Sequence, residues 1–268
     1  MLKREISEQG LSADVFLNEG DQPKKAIIIL GGSEGGKSWS RIKQPVQHLV
    51  DRGYAVLSLA YFGEKGLPDT LEEIPLEYFQ TAFERLSKCA DIIPGAFAVL
   101  GGSKGAEAAL LLASRFPEVK AVVAMSPSSV VWQGIPKNRF ELGTAGLSSW
   151  SFRGESIPYL PYPDSISRTA LLTMRLRGIH ETALMNEERV QQAGIPVENS
   201  QGAVLLVSGE KDQMWPSTPM SIQILQRLDT NHFKYPYEHI AYNSGHNGLV
   251  MNRQCWKSIF NFLDLHFA

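Results

Sequence analysis

Five short runs of apolar residues, many of them β-branched, punctuate the chain at 26–30, 55–60, 96–100, 121–125 and 203–208. None alternates with polar residues, so each is predicted to be covered on both faces, as strands of a parallel sheet are. Longer amphipathic stretches separate them, at about 40–52, 70–90, 104–116, 217–229 and 253–266, with a further strand-like run at 233–242. Strand and helix patterns in turn predict βαβ units. With right-handed crossovers they give an α/β fold, a doubly wound and mostly parallel sheet with helices on both faces.

One interval breaks this rhythm. Residues 126–200 hold no clear core strand but five prolines, at 127, 136, 158, 161 and 163. A loop of that length without structure of its own is uncommon. The reading is therefore one domain over residues 1–268 with an inserted cap or lid at 127–200, helical over 177–193 and ended by Gly194-Ile195-Pro196. Trp132, Phe140, Trp150, Phe152, Tyr159 and Tyr162 either line an apolar pocket or pack the cap onto the body.

Of the 268 residues, 43% are hydrophobic and 20% charged, an ordinary globular balance. A net charge of -2 offers no basic footprint for nucleic acid. Cys89 and Cys255 are too few for a disulfide framework, and with no apolar leader at the charged N-terminus they fit a cytoplasmic setting. The apolar runs are of strand length, far short of a membrane span.

The most specific feature lies where the third run ends. Gly101-Gly102-Ser103-Lys104-Gly105 is G-x-S-x-G between a strand and a helix, the context of a nucleophile elbow in α/β-hydrolases. The turn tolerates no bulk two residues either side of the serine, and Gly101 and Gly105 supply that. A serine hydroxyl needs a histidine to take its proton and an acid to hold that histidine. The acid should follow the serine in the chain and the histidine should come last. Asp212 fits, in the loop after the 203–208 strand, with Glu210 as competitor. His246 fits, in Asn243-Ser244-Gly245-His246-Asn247-Gly248 between a strand and the final helix. His48 and His266 fall in helices, His180 in the cap, and His232 and His239 in the last strand. Two backbone N–H groups should hold the developing oxyanion. One is that of Lys104 and the other that of Ser33, with Gly32 or Glu34 as neighbours in the same loop. No metal or redox cofactor is needed.

That loop also spells another motif. Residues 31–38, Gly-Gly-Ser-Glu-Gly-Gly-Lys-Ser, match G-x-x-x-x-G-K-S, which would place Lys37 on phosphates and Ser38 on magnesium. Against it, Pro45 interrupts the helix that should follow, and no apolar strand ends in an acid suited to magnesium.

With elbow, acid loop and histidine loop in place, the chain resembles the C-terminal α/β-hydrolase domain of acyl-CoA thioesterases and bile acid-CoA:amino acid N-acyltransferases, near dienelactone hydrolases. The resemblance rests on Gly31 to Gly36, Leu100-Gly-Gly-Ser-Lys-Gly-Ala-Glu107, Leu205-Leu-Val-Ser-Gly-Glu-Lys-Asp-Gln-Met-Trp-Pro216 and Tyr242-Asn-Ser-Gly-His246. It implies a Ser103, Asp212, His246 triad acting on a small-molecule acyl thioester, fatty acyl-CoA first, with an oxygen-ester hydrolase as the alternative. Lys37, Arg41 and Lys43 would meet CoA phosphates or remain solvated surface charges. Larger members carry an N-terminal β-sandwich that the residues before 25 are too few to form. Amino-acid-conjugating members use cysteine, so Ser103 favours hydrolysis.

Overall fold

An antiparallel pair that the hydrophobic pattern does not announce opens the chain: β1 (Leu2–Ile6) and β2 (Ser12–Leu17), in register Leu2↔Leu17 to Ile6↔Ala13. β1 lies at the sheet edge, largely exposed and carrying Lys3, Arg4 and Glu5, a composition that discourages further pairing. β2 is buried throughout although Asp14 sits in its middle, because Lys3 Nζ (2.9 Å) and Lys37 Nζ (3.3 Å) close on that carboxylate. The computed structural model describes residues 1–7, 10–20, 22–143, 146–164 and 166–268.

The predicted alternation then follows. It runs β3 (Lys24–Leu30), α1 (Lys43–Asp51), β4 (Ala55–Ala60), α2 (Leu76–Ser87), β5 (Ile92–Gly102), α3 (Lys104–Arg115) and β6 (Val119–Met125). After the insertion come β7 (Ala203–Gly209), α7 (Ser217–Thr230), β8 (Tyr237–Tyr242) and α8 (Arg253–His266). Among the described residues the sheet has eight strands in the order β1-β2-β4-β3-β5-β6-β7-β8, parallel from β4 to β8. Successive residues of β3 point to opposite faces: Ile28 and Leu30 join the core under α2, α3 and α7, while Ile27 and Ile29 join the one under α1 and α8. Both faces are closed to water, so the strand sequences carry no polar alternation. The last strand is shorter than the 233–242 run, since 233–236, ending in Pro236, lies outside it.

Among the described residues no main-sheet strand falls between β6 and β7. The segment holds α4 (Arg168–Thr173), α5 (Arg177–Ala183) and α6 (Glu187–Ala193), and its strands Trp150–Phe152 and Glu155–Ser156 complete a small sheet with Ile74–Pro75. The single helix expected over 177–193 is thus two. Asn186 breaks it: its side-chain oxygen accepts the Arg189 N–H at 3.1 Å and caps a new helix. α4 was missed because six residues are too short to show a period. The aromatic residues divide: Trp132 and Trp150 are fully buried, Tyr162 lines a cavity and Phe140 faces out. Among the described residues no helix is long and apolar enough to cross a membrane.

Candidate functional site

At the carboxyl ends of β3, β5, β6, β7 and β8 the loops converge, as ligand-binding loops do in open α/β sheets. β5 runs into Ser103, whose backbone takes φ 55°, ψ −119°, before α3 begins at Lys104. A positive φ is a strained setting for a side chain, held here by the Ser103 N–H donating to the Met125 carbonyl at 2.9 Å. The flanking glycines follow from sterics. A Cβ at Gly101 would overlap the Gly105 carbonyl, and one at Gly105 would overlap the carbonyl oxygens of Leu30 and Gly31. Those neighbours are backbone and cannot step aside. Gly105→Ala is therefore expected to cost about 3 kcal/mol, read as a lowered thermal midpoint.

Asp212 stands in the β7–α7 loop with no exposed surface, whereas Glu210 is exposed. Every acceptor direction of the Asp212 carboxylate is used. Oδ1 accepts the N–H groups of Met214 (2.9 Å) and Trp215 (3.2 Å); Oδ2 accepts Ser217 Oγ–H (2.7 Å) and His246 Nδ1–H (2.8 Å). Burial alone would raise this carboxyl's pKa, but the hydrogen bond and charge of His246, with the Ser217 and Met214 bonds, outweigh it and hold the pKa below the ordinary aspartate value. Since a carboxylate only accepts, Nδ1 carries the proton and Nε2 keeps a free lone pair, the tautomer of a general base. The acid and histidine loops are laced together by Glu210 N–H to Tyr242 O (2.9 Å) and Lys211 N–H to Ser244 O (3.0 Å). Ser126, itself at φ 49°, binds both sides: its Oγ–H reaches the His246 carbonyl (3.2 Å) and its carbonyl accepts Trp215 Nε1–H (3.2 Å). Of the other histidines, His239 is engaged by Ser208 Oγ at 2.8 Å, and His232 lies in a turn at φ 50°.

Ser103 and His246 share the walls of two cavities, of about 90 and 500 Å³, together with Glu34 and Asn247. No Ser103–His246 hydrogen bond is formed among the described contacts, a common state of such pairs before substrate arrives. The glycine loop after β3 runs beside them. Its Gly32 N–H is committed to Glu34 Oε1 at 3.0 Å, and Tyr61, whose hydroxyl burial keeps protonated, donates to the Gly31 carbonyl at 2.6 Å. Ser33 and Lys104 line the larger cavity. The Lys104 N–H opens a helix, where backbone donors lack intrahelical partners.

The eight-letter phosphate-loop match does not hold, as Pro45 had argued. The Lys37 ammonium is held by Glu5 (2.9 Å) and Asp14 (3.3 Å), and a 3-10 turn at Ser38–Arg41 stands where a phosphate-binding loop needs an α-helix. The eight-letter match is thus a loop that braces β1 and β2. Arg41 and Lys43 are exposed on either side of Ile42, which lines the smaller cavity. Sequence reasoning also overlooked Ser217, Trp215 and the Lys104 side chain. The ammonium of Lys104 is buried and bonds both oxygens of Glu107 at 3.0 Å. The signal for the first two was the run Asp212-Gln-Met-Trp-Pro-Ser217 itself, a turn in which an acid bonds the backbone ahead of it.

Comparison with known proteins places the chain's fold and family. A rat (Rattus norvegicus) acyl-coenzyme A thioesterase 1 is 29% identical over 244 residues, 90% of this chain and 52% of that protein. A mouse (Mus musculus) acyl-coenzyme A amino acid N-acyltransferase 1 is 28% identical over 232 residues, 85% of this chain and 49% of that one. The chain spans about half the length of these curated relatives. Among solved structures, an esterase of Pyrococcus furiosus superposes with a TM-score of 0.64 at 16% identity, covering 100% of this chain and 93% of its own. That likeness extends to the fold alone, which is the α/β-hydrolase fold. The sequence model described as "BAAT / Acyl-CoA thioester hydrolase C terminal" matches residues 74–248, and the chain belongs to that family.

Proposed function

We propose that this chain is a serine hydrolase of acyl thioesters, fatty acyl-CoA first among them. The observation that carries the reading is the buried Asp212–His246 pair on a cavity wall shared with Ser103 at its strained elbow. In the proposed cycle Ser103 Oγ attacks the acyl carbonyl as His246 Nε2 takes its proton, while Asp212 steadies the resulting imidazolium. The carbonyl oxygen, now negative, sits against the N–H groups of Ser33 and Lys104; the engagement of the Gly32 N–H by Glu34 supports Ser33 over Gly32. Collapse breaks the C–S bond and the thiol leaves with the proton from His246. Water, deprotonated by the same imidazole, then releases the acid and restores Ser103. Residues 127–200 act as a cap over the larger cavity, and serine at 103 favours water over an amine as acyl acceptor.

A fluorophosphonate probe should form one adduct, on the peptide containing Ser103, and acyl-CoA substrates should be turned over faster than short aryl esters. A labelled peptide without Ser103 would overturn the site. A strong preference for the aryl esters would overturn the thioester assignment and leave an oxygen-ester hydrolase.

A further inference from the structure

The larger cavity is walled mainly by apolar groups, among them Leu171, Leu176 and Trp215. Its charged side chains already have partners: Lys137 with Asp69 at 2.8 Å, Lys104 with Glu107, and Glu34 with the Gly32 N–H at 3.0 Å. Two polar groups of the inserted segment break the pattern. His180, 2% exposed, lines the cavity from α5. Its Nδ1 lies 2.9 Å from the Leu176 carbonyl, which can only accept, so the proton is on Nδ1 and Nε2 holds a lone pair. That Nε2, at the ring end away from its helix, has no partner among the described residues. The ring is boxed by Trp132 (4.5 Å), Tyr162 (5.3 Å) and Trp215 (5.7 Å), each perpendicular to it. Burial lowers the His180 pKa to about 4, so the imidazole is neutral near pH 7. Tyr162 also lines the cavity; its backbone N–H donates to Gln133 Oε1 at 3.1 Å, and its hydroxyl makes no hydrogen bond among the described residues.

A buried acceptor without a donor is unfavourable, and native proteins seldom keep one without use. A plain alkyl chain would leave both groups unmet. We propose that His180 Nε2 and the Tyr162 hydroxyl recognise a hydrogen-bond donor, a hydroxyl or N–H, carried on the acyl chain of the substrate. The inference rests on the hydrolase reading and narrows its substrate class. Position along the chain is bounded by Trp215, which meets His180 edge-on at 5.7 Å and His246 at 5.6 Å, so the donor binds about one indole away from the reacting centre.

The test uses acyl-CoA esters matched in length, with a hydroxyl at successive carbons or absent. For the full-length protein the best-placed hydroxyl should raise kcat/KM roughly tenfold over the plain chain, the scale of one buried hydrogen bond. His180→Phe keeps the aromatic box and leaves the Leu176 carbonyl bonded to its backbone N–H partner, so the fold has no new orphan. It should bring the hydroxyl-to-plain ratio to about one without lowering the thermal midpoint, whereas a structural histidine would lower the midpoint and both substrates alike. Tyr162→Phe removes only a hydroxyl, keeps the stack on Trp132 and should reduce the ratio about threefold. Should His180→Phe not fold, the wild-type ratio and Tyr162→Phe decide. Plain chains hydrolysed with no preference at any position, or a ratio unchanged in both variants, would overturn this inference alone. No turnover of any acyl-CoA would remove the thioesterase reading and this inference with it.

Discussion

Alanine at position 103 is expected to lower kcat for acyl thioester hydrolysis by on the order of 10^6-fold, with the fold intact. In the proposed cycle the hydroxyl is the one group that bonds to the acyl carbon. His246→Ala should cost a similar factor, because without a base the hydroxyl stays protonated. The Ser103→Ala, His246→Ala double variant should be no worse than either single one, since the two groups act as a unit. Asp212→Asn should cost about 10^4-fold through a different route. An amide in place of the carboxylate presents N–H to Nδ1, favours the tautomer with its proton on Nε2 and removes the lone pair that the proposed cycle uses as base. Single-turnover release of CoA thiol, followed with purified variants of unchanged circular dichroism, checks all four. A Ser103→Ala protein that keeps a tenth of the activity would end the covalent mechanism.

How much of this was legible in the sequence depended on whether the information was local. β3 to β7 were read to within a few residues because burial on both faces leaves uninterrupted apolar runs, as at Ile27, Ile28 and Ile29. β1 and β2 were not, because their burial is settled by distant partners: Asp14 reads as a surface acid until Lys3 and Lys37 close over it. The same ion pairs give Lys37 a role that the phosphate-loop spelling could not show, since letters do not tell where a lysine side chain turns. The geometry at the elbow was local and legible, with Gly101 and Gly105 required by backbone contact. The choice between Asp212 and Glu210 was not; it is decided by depth, and Asp212 is the one bonded to His246. His180 and Tyr162 were two among many polar and aromatic residues of the inserted segment. Only the folded arrangement puts them on the cavity wall.

Glu107→Leu is expected to destabilise the protein by about 3–5 kcal/mol, a fall in thermal midpoint of roughly 6–20 °C for a chain of this size. Lys104 and Glu107 lie one turn apart on α3, 2% and 0% exposed, and burial pushes the lysine pKa down and the glutamate pKa up. Each is tolerated because the other is present. Glu107 Oε1 also accepts Trp132 N–H (3.1 Å) and Trp150 Nε1–H (2.8 Å), so it ties the helix after Ser103 to two points of the inserted segment. Leucine would leave an ammonium without a counter-charge and two N–H groups without an acceptor. Lys104→Met with Glu107→Gln should recover most of the loss, because the amide oxygen still accepts from the tryptophans and no charge remains buried. Urea denaturation of the wild type, Lys104→Met, Glu107→Gln and the pair measures the coupling directly. The two single variants should each fall well below the double one; single losses under about 1 kcal/mol would mean that the pair is not buried as charges. Because the Lys104 N–H is a proposed oxyanion donor, the double variant also separates the two roles of that residue: its backbone amide is unchanged, so hydrolysis should return along with stability.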